Sequence, residues 1–383
     1  KKMKDFSNFG TITEYLETRY NSKFLRSASA FLSMVALIAL VGSQVGAAVG
    51  IMNALGMKNT TIAALFACIV IIALTSMGGL MAVTVTDGFQ IILVMVGVVW
   101  ITVAALGDIG GLSGLNASLT AIQSELPEGY NVFMDSEKFK SLLWMILPGL
   151  MYIMIGQDIY QRLFACKDHK TAIKASVCSA VLVCIVSVMP VTLGLIARVK
   201  HPELATAGTS AAAFATIAMS TLPGWAVGII IAAALSAIFS TADSCLSAAA
   251  SHFMTDLYLP YIGKNVDTKD RRLVTISRAF TVIAGLAAVG VSMLLPTILD
   301  GCFYAYYIYT SGVFCPIVFG VFWKKATKQG AIAGLLAGGL FMMYALLTGF
   351  SVAGIGGELL SGIVSAIVLV VVSLATQPKK TAA

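Results

Sequence analysis

Apolar runs of about 20 residues recur from one end of this chain to the other, and few structures can hold them. A hydrocarbon core has no water to take up a free N–H or C=O. A spanning segment must therefore satisfy its backbone internally, as a helix or a closed barrel. The runs lack the ten-residue alternation of a transmembrane barrel, and as helices they are long enough to cross about 30 Å. Hydrophobic residues make up 58% of the chain and charged ones 11%, which excludes a soluble globular domain. The expected class is an all-α integral membrane protein.

Hydropathy predicts ten membrane helices, at 24–54, 60–77, 79–106, 141–163, 170–198, 225–256, 271–295, 300–323, 329–349 and 357–376. The first and sixth exceed a perpendicular span and must tilt or project. Glycine pairs at Gly78-Gly79, Gly110-Gly111 and Gly338-Gly339 mark turns or close helix contacts. The net charge of +7 sits in short loops, which argues against nucleic acid as a partner. If the helices alternate, 20 of the 25 basic residues fall on one side. Only Lys58, Lys138, Lys140, Arg198 and Lys200 fall on the other. The positive-inside rule then puts both chain ends in the cytoplasm, in the cell inner (plasma) membrane, with the connection holding Pro127 outside. Residues 1–23 show no signal-peptide core and do not begin with Met, so a chain missing its beginning is expected. Seven scattered cysteines without CxxC spacing and three distant histidines offer no metal-ligand pattern.

The sixth helix carries polar groups where lipid penalises them. Ala237, Ser240, Thr241 and Ser244 stand at i, i+3, i+4 and i+7 on one face, Ser247 and Ser251 continue the stripe, and Asp243 sits beside it. Small residues also serve close helix packing. The Ser-Thr pair with Asp243 inside two turns favours a cation site. Other candidates are Ser43 and Gln44 in the first helix, as solute contacts or interhelical bonds, and Tyr152 and Met154 in the fourth. The eighth carries FYAYYIYTSG, where Phe303, Tyr306, Tyr307 and Thr310 form either a solute gate or interface anchors. Asp158 is expected to pair with Arg162 at i+4, and Asp300 to suit a helix N-terminus. No Arg or Lys lies mid-helix, so no fixed cation awaits a solute carboxylate.

Five segments, TITEYLETRY (11–20), GGLMAVTVTDGFQ (78–90), GQDIYQRLFACKD (156–168), AAALSAIFSTADSCLSAAASHFMTDLY at the sixth helix and FGVFWKKATKQGAIAG (319–334), together resemble the sodium:solute symporter family. The resemblance implies the leucine-transporter-like inverted-repeat bundle, with a mid-membrane solute site between two five-helix halves. It makes 1–23 a cytoplasmic segment, 24–106 the remainder of an incomplete first repeat, 107–140 an extracellular loop, 141–323 the second repeat, and 324–383 two further helices with a tail. It implies a Na+ site at the carbonyl of Ala237 and the hydroxyls of Ser240 and Thr241. It further implies a second cation position at Asp243 and Ser244, whose usual acidic partner is replaced by Ser113. Asp87 is implied to be a packing or gating position without a ligand role.

The expected function is Na+-coupled uptake of a small organic solute by alternating access, with Na+ as coupling ion and the bilayer and the solute as partners. Proton coupling through Asp243 and a transporter-like membrane sensor remain as alternatives. No GxSxG, HExxH or paired catalytic carboxylates point to an enzyme.

Overall fold

The computed structural model describes residues 9–126, 136–205, 209–263, 266, 270–295, 297–352 and 355–377. Pro127, and the side chains of Gly78 and Gly79, lie outside the described residues. Helices dominate: α1 (Ile12–Tyr20), α2 (Lys23–Ala54), α3 (Thr60–Asp108), α4 (Gly111–Ala121), α5 (Ser136–Ile153), α6 (Gln157–Phe164), α7 (His169–Val186), α8 (Val188–Lys200) and α9 (Ala213–Thr221). There follow α10 (Gly224–His252), α11 (Leu259–Tyr261), α12 (Arg271–Leu294), α13 (Ile298–Phe322), α14 (Lys328–Thr348) and α15 (Gly357–Ala375), with two two-residue strands, Ser351–Val352 and Ile355–Gly356, paired antiparallel between the last two. Among the described residues, seven helical segments are long and apolar enough to cross a membrane.

Polar residues at the loop ends start these helices by accepting orphan amides. Asn59 Oδ1 accepts from Ile62 N at 3.1 Å, Asp168 Oδ1 from Thr171 N at 2.7 Å, and Thr297 Oγ1 from Asp300 N at 3.1 Å. Asp300 therefore sits in the first turn of α13, as expected. The middle of α2 is buried on nearly every side, through Ala36, Leu37, Ala39, Leu40 and Val41, and it packs against α10, α12 and α13.

Several expected helices differ from the observed ones. The span 141–163 is broken into α5 and α6 around Ile155 and Gly156. Gly156 has an extended ψ of 124°, and a β-carbon there would lie 2.9 Å from both Asp158 Oδ1 and the Tyr152 ring. The span 170–198 divides at Ser187 into α7 and α8. Within 107–140, expected to be loop, α4 is helical and α5 begins at Ser136. The helical range Thr60–Asp108 spans the two membrane helices expected at 60–77 and 79–106, and the Gly78-Gly79 pair, expected to mark a turn or close helix contact, falls where side chains lie outside the described residues. Residues on both sides of that pair pack against α10, so α3 doubles back on itself there. Thr75 and Asp87 both adjoin Asp243, whereas Trp100 meets Trp225, at the start of α10, with ring centroids 5.5 Å apart.

Beyond His252, α10 widens into a π-helical turn, Phe253–Tyr258. That turn aims the fully buried Asp256 at α1 and α2. Its Oδ1 accepts from Thr11 Oγ1 at 2.8 Å and from Arg26 Nε at 2.7 Å; its Oδ2 accepts from Thr13 Oγ1 at 2.7 Å and lies 2.7 Å from His252 Nδ1. The other end of α1 holds α13: Arg19 donates to the carbonyls of Gly320, Trp323, Lys324 and Ala326 at 3.0 to 3.3 Å. A cation there offsets the negative end of the α13 dipole.

Candidate functional site

The expected cation ligands come together on α10 around one carbonyl. Ser240 Oγ donates to Ala237 O at 3.0 Å and Thr241 Oγ1 to the same oxygen at 3.1 Å. Such back-bonding is common for hydroxyls in helices, but here two hydroxyls share one acceptor and gather three hard oxygens, the donor type Na+ takes. Residues 234–240 are half-buried and Thr241 is exposed, so this face is open to further ligands.

One turn further, Ser244 Oγ donates to Ser240 O at 2.8 Å and accepts from Arg162 Nη2. Arg162 does not pair with Asp158. It forms an ion pair with Asp87 at 2.8 Å, while Asp158 Oδ1 accepts from Tyr152 Oη at 2.8 Å across the break between α5 and α6. Asp243 is buried near Thr75, whose Oγ1 donates to Ile71 O at 2.8 Å, and the Oδ1 of Asp243 has no partner among the described residues. An acidic residue on α3 thus stands beside Asp243 and Ser244, and it is Asp87. Ser113, expected at that place, is exposed on α4 and donates to Gly110 O at 3.3 Å. The sequence hides this because proximity of Asp87 to α10 depends on the reversal within α3.

The six candidate solute residues divide into separate groups. Tyr152 is buried, with its ring 4.7 Å from Tyr306 and 6.1 Å from Tyr309, and Tyr309 Oη donates to Ile155 O at 3.1 Å. An aromatic cluster therefore covers the break. Tyr309, which sequence reasoning passed over, anchors it. Met154 is exposed, and its carbonyl accepts from Tyr160 Oη at 3.0 Å. Phe303 stacks on Tyr307, which packs among Pro148, Met151 and Leu359, on another flank of α13. Ser43 Oγ donates to Ile298 O at 3.1 Å and lines a cavity between α2 and α13, with Gln44 half-buried next to it in the chain.

The model of the sodium:solute symporter family matches residues 3–338. The chain belongs to that family. The family is one of Na+-coupled transporters, not enzymes. Among its relatives, a sodium/glucose cotransporter of Vibrio parahaemolyticus is 30% identical over 87% of this chain and 66% of its own length. A sodium/pantothenate symporter of Haemophilus influenzae is 28% identical over 89% and 69%. A sodium/proline symporter of Escherichia coli is 26% identical over 91% and 72%. The chain thus spans about two thirds of the length of these symporters. A solved structure of a Na+-coupled sialic acid symporter, substrate-bound and outward-open, shares the fold with a TM-score of 0.77 at 18% identity, covering 97% of this chain and 78% of the other.

Proposed function

We propose that this symporter-family protein couples inward Na+ movement to uptake of a small organic solute by alternating access. The observation that carries the reading is the convergence of Ser240 Oγ and Thr241 Oγ1 on Ala237 O. Those three oxygens would hold Na+, with the remaining ligands coming from outside α10. Coupling requires that Na+ and solute favour the same state, so that each raises the affinity for the other.

The proposed architecture is the inverted-repeat bundle, with 24–106 in the first repeat and 141–323 in the second. Support comes from the break between α5 and α6, because discontinuous helices line the midplane sites of such transporters. Tyr152, sealed over the break by Tyr306 and Tyr309, would border the solute path, together with Ser43, Gln44, Met154, Phe303 and Tyr307. Asp243 and Ser244, with Asp87, form the proposed second cation position, where Arg162 competes for the same oxygens. The relatives carry solutes as different as glucose, pantothenate and proline, so the proposed partner is a small organic solute.

In the proposed orientation both chain ends face the cytoplasm. The end of the bundle where Arg19 and Arg26 meet the α10 π-turn and the C-terminus of α13 would be the inner one. One observation favours a second reading: the unpartnered Oδ1 of buried Asp243 could take up a proton in place of a cation. Uptake in proteoliposomes with Na+ and proton gradients imposed separately tests both. Sodium coupling predicts accumulation driven by inward Na+ alone. Accumulation driven only by protons, and lost in Asp243→Asn, would replace it.

A further inference from the structure

At the end of the bundle opposite the Asp256 network, a cavity of about 640 Å³ lies between α2, the start of α3, the segment Ser210-Ala211, the end of α12 and the start of α13. That volume falls within the range of about 300–1,000 Å³ usual for small-molecule sites. None of its lining residues belongs to α5, α6 or α10, so it is separate from the sodium ligands and from the aromatic cluster.

The cavity is built by glycines on one face of α2. A β-carbon at Gly42 would lie 3.0 Å from Val291, and one at Gly50 would overlap Ala211, so the chain is tightly packed at both positions. Between them, one turn from each, a β-carbon at Gly46 would meet nothing within 4 Å. Close packing above and below thus leaves a chamber at Gly46. Its polar lining is neutral: Asn53 supplies an amide, Ser43, Ser210, Ser292, Thr60, Thr61 and Thr297 supply hydroxyls, and no charged side chain lines it among the described residues.

This chemistry selects the guest. A carboxylate or ammonium entering the chamber would give up part of its water with no countercharge to offset the loss. A hydroxyl is at once donor and acceptor, and hydroxyl and amide side chains can return both kinds of bond. We infer that this chamber is a loading subsite for neutral polyhydroxylated solutes, occupied before the solute reaches the sodium-linked site. The inference rests on the transport reading and on its orientation, which makes this end the outer one, but it does not require Na+ at the subsite.

The test is protection of Gly46→Cys from a membrane-impermeant thiol reagent applied from outside in Na+-free medium, read at residue 46 by peptide mass spectrometry. The open space at Gly46 lets the substitution enter without displacing a neighbour. Myo-inositol, proline and pantothenate serve as probes at equal concentrations. At about ten times its Kd a bound probe slows labelling roughly tenfold, since the free fraction falls as 1/(1 + [L]/Kd). Inositol is expected to protect in the absence of Na+, with proline and pantothenate leaving the rate unchanged, and Thr241→Ala in the same background is expected to keep the protection. Equal protection by all three probes, none by inositol, or no labelling of residue 46 overturns the subsite. If Thr241→Ala leaves Na+-driven uptake intact while inositol still protects, the sodium assignment fails and the subsite stands.

Discussion

Replacing Asp256 with alanine should release α1 from the bundle, and the structure sets the size of the effect. The carboxylate is fully buried and satisfies Thr11, Thr13, Arg26 and His252 at 2.7 to 2.8 Å. Breaking a buried charge pair from one side costs about 3–5 kcal/mol, because the remaining groups keep their desolvation penalty. Arg26 retains Glu14 at 2.9 Å and Glu17 at 2.7 Å. Those partners keep Arg26 from being stranded but do nothing for Thr11 and Thr13. Glu17→Ala removes only a partly exposed pair and should cost under about 1 kcal/mol. Hydrogen exchange of the amides of residues 12–20 in detergent or nanodiscs reads both. With about 1.4 kcal/mol per tenfold, Asp256→Ala should speed exchange by roughly 100- to 4,000-fold, against less than roughly tenfold for Glu17→Ala. Asp256→Asn, which keeps one acceptor, should fall between. Similar rates for Asp256→Ala and Glu17→Ala would refute the view that the buried carboxylate holds α1.

Orientation and capping give two more expectations. In intact cells an impermeant thiol reagent should label Lys58→Cys and spare Lys324→Cys until the membrane is opened; the reverse pattern would invert the topology. At Asp168 the amide of Thr171, donating to the side chain, holds the carboxyl below its usual range near 3.8. A depressed native value gives stability that is present above the unfolded pKa and lost as pH falls through the native one. Fraying of the first turn of α7 should thus rise below about pH 4, and Asp168→Ala should fray at neutral pH. A Thr171 amide exchanging equally in both proteins would contradict this.

Much of this was legible in the sequence, and the gaps have physical causes. Apolar length marked the spanning helices because the bilayer sets it directly, and Thr297 with Asp300 marked the start of α13 because capping is local. Hydroxyl spacing placed Ser240 and Thr241 on one face with Ala237 for the same reason: all three residues share one helix. What failed was long-range. Asp158 was expected to pair with Arg162 four residues on, yet Arg162 turns to Asp87, 75 residues away, because the second half of α3 returns along α10. The role of Asp256 was unreadable, since only the π-turn aims it at Thr11 and Thr13. Phe303 and Tyr307 shared an aromatic run with Tyr306 and Tyr309, but a helix presents that run on several sides, and only the last two meet Tyr152.

The Na+ concentration giving half-maximal uptake in proteoliposomes reads whether Ala237, Ser240 and Thr241 hold the coupling Na+. Ser240→Ala and Thr241→Ala each delete one ligand oxygen while leaving α10 helical. The loss of about 1–3 kcal/mol of coupling should raise that concentration roughly 5- to 150-fold, with Thr241→Ser close to the unmodified protein because its hydroxyl remains. If both alanine variants, present at normal abundance, keep the Na+ dependence of the unmodified protein, the three oxygens on α10 do not bind the ion.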